Sequence, residues 1–307
     1  MRHGLATWVA DELSAAEKPV PSALVDAARG QISTAARLKR LTLQVLDGLQ
    51  AVGVTPVLLK GYGLASRLFP EQPLARPATD VDVLVLPHEL EVAEAALTRI
   101  GLALIAVPGV DDVFEDHHHR PWCGPAGLVE LHFRLRSASD DTDSSDRAVQ
   151  ARTRLGTLDG RSVRWLAPED EFLYLATHAA NHAFLRFSWL IDLAGYLRFA
   201  PNLNWEVMAG RAREAGLGVP VATSLSLLER LLEVELPAGA HDAFHPSRLR
   251  QRLDAQLFSG ERVLDAGWSN DRVASFLLRL YLTDSPGQAA RQLLEGARRY
   301  WRQRQGP

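Results

Sequence analysis

The sequence predicts an α+β protein: a mixed sheet with flanking helices, followed by an all-helical C-terminal region. Three observations predict it. Residues 57–85 read as strand, glycine turn, helix and second strand; residues 127–135 alternate polar and apolar side chains at the period of a strand; and from Pro168 onward the apolar spacing turns helical. The boundaries implied are 1–52 for N-terminal helices, 53–166 for the sheet domain and 167–307 for a helical domain.

Taken in order, residues 5–17 have the spacing of a short amphipathic helix, and Pro19 and Pro21 break it. A longer helix runs from Ser22, placed to cap it, to about Val52, with Leu24, Ala27, Ala28, Ile32, Ala35, Leu38, Leu41, Val45, Leu46 and Leu49 at helical apolar spacing. Gly53 ends it. Val54–Leu59 then reads as a strand, Gly63–Phe69 as a helix after the Lys60-Gly61 turn, and Asp80–Val85 as a second strand beyond a proline-rich loop. His88–Ile100 is helical by spacing and Leu102–Val107 is a strand. Pro108–Pro125 reads as irregular, with His117, His118 and His119 in an exposed loop. Gly127–Leu135 is a strand, Ser137–Asp146 an acidic surface loop, and Leu158-Asp159-Gly160-Arg161 the turn of a hairpin. Pro168 and the acids after it start a helix carrying His178, His182, Arg186, Trp189 and Asp192. Further helices follow at about 204–215, 219–234, 246–257, 271–282 and 286–304, the last bearing five arginines with Tyr300 and Trp301.

The chemistry concentrates on the paired strands. Side chains two residues apart on a strand share a face, so Asp80 and Asp82 point the same way. Their repulsion is relieved by a divalent cation, and hard oxygen ligands suit Mg²⁺ bound together with a substrate phosphate. The Lys60-Gly61 turn opening a helix offers N–H groups and a positive charge to that phosphate. The plainer reading makes the two acids a solvated strand face and Gly61 an ordinary turn; the order lysine, glycine, Arg76 and acidic strand favours the metal. On the later strand Leu128, Glu130, His132 and Arg134 share the polar face, which makes Glu130 a third ligand or a general base of a site for one or two metals. That face is otherwise the wet side of an antiparallel strand. His178 and His182 lie one turn apart on a helix and, with His132, read as cleft-lining residues; without a third ligand the HxxxH spacing does not specify zinc.

Composition narrows the class. Hydrophobic residues make up 47% and charged residues 23%, and the net charge of −3 provides no global attraction to nucleic acid. Cys123 is the one cysteine, so an intrachain disulfide and a cysteine zinc cluster are excluded. Residues 1–16 lack a secretory pattern and no stretch has the length of a membrane helix, so a cytoplasmic location is expected.

The runs LLKGYGLASRLFPEQPLARPATDVDVLV, VELHFRL and PEDEFLYLATHAANHAFLRFSWLIDLAGYL resemble the nucleotidyltransferase superfamily with its polymerase-β-like fold, and within it the subgroup of uncharacterised nucleotidyltransferase family proteins. The resemblance covers roughly residues 40–200. It implies that residues 53–166 are the catalytic domain, that Lys60, Gly61 and Arg76 contact phosphates, and that Asp80, Asp82 and Glu130 are the catalytic, metal-binding acids. It further implies Mg²⁺ as cofactor, an NTP co-substrate, with ATP favoured, and transfer of NMP to a small-molecule or peptide acceptor in a helical pocket. The chain departs from the superfamily in two places: Lys60-Gly61 replaces the usual Gly-Ser turn and the loop from Gly61 to Asp80 is longer than the common spacing, and the third acid is Glu where Asp is commoner. Two other readings remain: a catalytically silent nucleotide- or partner-binding protein on the same scaffold, and an RNA-modifying enzyme using the basic terminal helix.

Overall fold

The computed structural model describes residues 3–105, 118–135, 143–265 and 272–284, with 287, 290 and 294 as isolated positions. Apart from those three positions, the basic terminal helix expected over 286–304 lies outside the described residues, as does His117. The chain divides into two compact units, Met1–Glu171 and Phe172–Pro307.

In the first unit, helices α1 (Ala6–Ala15) and α2 (Ser22–Gln50) precede strand β1 (Val57–Leu58), helix α3 (Gly61–Leu68), strand β2 (Asp80–Leu84) and helix α4 (Leu90–Arg99). Strands β3 (Ala103–Leu104), β4 (His119–Gly124) and β5 (Gly127–His132) follow, then helix α5 (Asp143–Ala151) and strands β6 (Arg154–Leu158) and β7 (Arg161–Trp165). Among the described residues these strands form one mixed sheet in the order β3-β4-β5-β2-β1-β7-β6. The β2–β5 and β1–β7 pairs are parallel and the others antiparallel.

The alternation within β2 and β5 decides which face is which. Val81, Val83, Val129 and Leu131 are buried in one core with Leu38, Leu41, Val45, Leu46 and Leu49 of α2, so the long helix covers the apolar face. Asp82 and Glu130, one residue out of phase, are turned to the other face. The β6–β7 hairpin has Asp159 at φ 47° and Gly160 at φ 79°, the two positive values of a type I′ turn. Asp159 is anchored there by Lys39 at 3.0 Å and the Tyr62 hydroxyl at 3.2 Å.

Several sequence expectations are corrected. Ser22 is the first residue of α2 and Pro21 occupies the cap position, with no side-chain cap bond. The segment read as irregular contains β4, and His119 is in a strand. Pro121, which lacks the N–H a strand needs, nevertheless pairs with Glu130, and its carbonyl accepts the Ile105 N–H at 2.9 Å. The end of the acidic loop is helix α5, whose Asp146 carboxylate accepts the Leu135 N–H at 2.9 Å.

Helix α6 (Pro168–Asn181) carries the chain from the first unit into the second. There α7 (Phe187–Phe199), α8 (Trp205–Ala215), α9 (Gly218–Leu232), α10 (Ala238–Ala243), α11 (Arg248–Leu257), α12 (Gly260–Asp265) and α13 (Arg272–Tyr281) follow. The single helix expected to hold both His178 and Asp192 is broken, because Ala183 and Phe184 take positive φ values of 49° and 54°. Asn204 caps α8 by accepting the Val207 N–H at 3.0 Å, and Gly216 ends it in the left-handed conformation. Among the described residues no helix is long and apolar enough to cross a membrane.

The docking of α2 on the sheet is expected to dominate the stability of the first unit. Leu46→Ala, at a fully buried position, should cost about 2–5 kcal/mol by urea unfolding. Ile32, which the apolar spacing groups with that face, is instead 39% exposed, and Ile32→Ala should stay within about 0.5 kcal/mol. Equal losses would contradict this packing.

Candidate active site

The parallel register between β2 and β5 sets Asp80 beside Leu128 and Asp82 beside Glu130. Asp82 is 2% exposed, so its charge is held away from water and must be met by the protein. Lys60 Nζ approaches Asp82 Oδ1 at 3.0 Å, and His132 Nε2 lies 3.2 Å from the same oxygen and 3.4 Å from Glu130 Oε2. The other oxygen, Asp82 Oδ2, is buried and has no hydrogen-bond partner among the described residues.

Lys60 reaches this position because β1 runs directly into the turn before α3. Gly61 begins α3 at φ 61°, a conformation that strains any residue with a Cβ. A Cβ there would meet only the Asp80 carbonyl oxygen, at an ordinary 3.6 Å, so the backbone angle and not space selects glycine. The start of α3 is thereby adjacent to the acidic strand. Its first N–H groups have no partner within their own helix.

The electrostatics differ from one acid to the next. Burial, reinforced by the charges of Asp82 and Glu130 and only partly offset by Lys60, pushes the Asp80 carboxyl up to about 6. For Asp82, burial acts upward too, but the Lys60 charge and the His132 hydrogen bond outweigh it and hold the group well below the carboxylate range. Glu130 is likewise lowered: burial opposes ionisation, and the hydrogen bond with His132 and the charge of His119 prevail. His132 is raised, since its bonds to Asp82 and Glu130 outweigh its burial.

Lys60, Asp80, Asp82, Glu130 and His132 are thus assembled at one place. Arg76 is 6% exposed and its Nη1 donates to the Pro77 carbonyl at 3.2 Å. His178 and His182 belong to the second unit, where their rings lie 4.8 Å apart and pack against Trp189 at 5.0 and 5.2 Å. Sequence reasoning missed His118 and His119 as neighbours of this cluster. His119 Nε2 is 3.7 Å from Glu130 Oε1, and all three rings of His118, His119 and His132 are in mutual contact. The sequence His119-Arg120-Pro121-Trp122-Cys123-Gly124 has no polar–apolar alternation and contains a proline, so it carried no strand signal.

The family model described as uncharacterised nucleotidyltransferase matches residues 1–233 of the 307. The chain belongs to this family. Its reaction class is accordingly nucleotidyl transfer. No curated protein matches the sequence. Among solved structures, a solution structure of the antibiotic-resistance factor ANT(2'')-Ia matches with TM-score 0.41 and 15% identity over 62% of this chain and 96% of that one. A crystal structure of ANT(2'')-Ia in complex with adenylyl-2''-tobramycin matches with TM-score 0.41 and 13% identity over 57% and 94%.

The raised Asp80 carboxyl generates a sign-definite expectation for the metal-free protein. A folded-state value near 6 against an unfolded value near 3.8 means that ionising Asp80 disfavours the fold. The penalty is absent below about pH 4 and fully present above about pH 6. Asp80→Asn should therefore raise stability at pH 8 in EDTA by on the order of 2 kcal/mol, about 5 °C in Tm, with the gain vanishing towards pH 4. Scanning calorimetry of the two proteins across that range checks it; an Asn variant melting lower at pH 8 would contradict it.

Proposed function

We propose that this protein is a Mg²⁺-dependent nucleotidyltransferase that moves NMP from an NTP, with AMP from ATP the first pair to test, to a hydroxyl or similar group of a small-molecule or peptide acceptor. The observation that carries the reading is the buried Asp82 Oδ2, without a hydrogen-bond partner among the described residues, on a strand that also bears Asp80 and lies beside Glu130. Lys60 and His132 both contact Asp82 Oδ1 and His132 also meets Glu130, while among the described residues the buried Asp82 Oδ2 is left as an unpaired acceptor. That donor set fits a hard divalent cation.

Asp80, Asp82 and Glu130 would hold the ion, which when bound would stabilise the charge developing around the α-phosphate during in-line attack. The remaining work falls to the chain's own groups. The first-turn N–H groups of α3 are the protein's donors for a triphosphate, and the glycine start lets them approach it closely. Lys60 keeps the Asp82 carboxylate ionised and engages its Oδ1, which leaves Oδ2 for the ion. His132 bridges Asp82 and Glu130 and orients both. Glu130, held below the usual carboxylate range, suits a ligand better than a general base at neutral pH. Asp80, whose carboxyl is raised, must lose its proton before it can bind a cation.

The test is pyrophosphate release across the four NTPs with a panel of hydroxyl-bearing acceptors, together with NTP binding in the presence and absence of Mg²⁺. Mg²⁺-dependent binding and release are expected, and Asp82→Ala or Asp80→Ala should lower turnover by about 10²-fold or more. Unchanged binding and turnover in both variants would overturn the reading; Mg²⁺-dependent binding with no release under any acceptor would favour a silent nucleotide-binding protein.

A further inference from the structure

The imidazoles beside the carboxylates form a second donor set of different chemistry. His119 and His132 are directly paired across β4 and β5, and His118 precedes β4 by one residue. The His118 carbonyl accepts N–H groups of Phe133 at 3.1 Å and Arg134 at 3.2 Å, so the backbone at all three positions is fixed by the sheet or its immediate extension. Ring centroids lie 4.6 Å (His118–His119), 5.0 Å (His119–His132) and 5.4 Å (His118–His132) apart. One ring nitrogen from each falls within 4.8 Å of the other two. A tetrahedral ion bound through imidazole at about 2.0–2.1 Å separates its nitrogens by roughly 3.3 Å, so the three rings would draw together on binding.

The direction of the rings is the second observation. His132 places Nε2 against two carboxylates, 3.2 Å from Asp82 Oδ1 and 3.4 Å from Glu130 Oε2. Its Nδ1 is buried with no hydrogen-bond partner among the described residues. His119 has the same polarity, with Nε2 directed to Glu130 Oε1 at 3.7 Å. A histidine that ligates a metal characteristically donates its other N–H to a carboxylate, which fixes the tautomer and leaves a lone pair for the ion. His132 already has that outer partner within hydrogen-bond distance and His119 faces one at 3.7 Å, while a buried His132 nitrogen left unsatisfied is otherwise costly.

We propose that His118, His119 and His132 form a binding site for a borderline transition-metal cation, Zn²⁺ foremost, adjacent to the carboxylate cluster and distinct from it in ligand chemistry. Imidazole nitrogens select Zn²⁺ and its neighbours over Mg²⁺, which demands oxygen. Three protein ligands leave a fourth position for water or a substrate atom. The inference does not depend on nucleotidyl transfer, because it is read from metal binding alone.

The test uses the full-length, untagged chain, stripped with EDTA and dialysed, with no nucleotide present. Titration with Co²⁺ followed by visible absorption should give one ion per chain, displaced by Zn²⁺ and not by excess Mg²⁺. His118→Ala and His119→Ala should each weaken binding by more than the about 10- to 100-fold that loss of an orienting partner costs, with unchanged circular dichroism. Should His119→Ala fail to fold, His118→Gln at the half-buried position before β4 gives the same readout. Absence of stoichiometric Co²⁺ binding would overturn the proposal. So would binding untouched by the His118 and His119 variants but lost in Asp82→Ala, which would put the ion on the Asp82, Glu130 and His132 group instead.

Discussion

Three carboxylates gathered at one place on two parallel strands repel one another, and the surrounding groups are arranged around that repulsion. The β2–β5 register brings Asp82 beside Glu130, and the two-residue period of β2 adds Asp80 on the same face. Burial magnifies the cost, since the interior screens charge poorly. The protein meets part of it with Lys60 and His132, both within 3.2 Å of one Asp82 oxygen. The remainder appears in the raised Asp80 carboxyl and the unsatisfied Asp82 Oδ2. Such an arrangement persists only because α2 clamps the opposite face: Val81, Val83, Val129 and Leu131 are locked into its core and hold the strands in register.

Much of this was legible in the sequence, for physical reasons that can be named. Alternation in DVDVLV and GLVELHFRL identifies the polar and apolar faces without further information, because strand geometry leaves one choice. The hairpin at Asp159-Gly160 was legible because few residues tolerate two consecutive positive φ angles. That β5 lies parallel and adjacent to β2, with Asp82 opposite Glu130, was not legible from periodicity: the contact joins residues 48 positions apart, and period alone says nothing of partners. Strand β4 escaped because His119-Arg120-Pro121-Trp122-Cys123-Gly124 lacks the β-branched residues that mark strands and includes a proline. The break between α6 and α7 escaped because Ala183 and Phe184, which carry it, continue the helical apolar spacing.

The role of His132 changed most between sequence and structure. Read as one of several cleft-lining residues, it contacts both Asp82 and Glu130, and it shares a ring cluster with His118 and His119. Oxygen and nitrogen donors thus meet at a single residue. The family match extends from the sheet unit past Glu171 into the helical unit, so the helices α6 to α9 are part of what the family retains.

The central claim is that Asp80, Asp82 and Glu130 together hold the divalent ion that a nucleotide brings. Its most direct measurement is a crystal structure of the chain with Mn²⁺ and a non-hydrolysable ATP analogue, with the ion located by anomalous scattering. The account expects an anomalous peak within about 2.0–2.4 Å of oxygens from these three residues and from the analogue's phosphates. Analogue bound elsewhere, or an ion with no contact to Asp82, would contradict it.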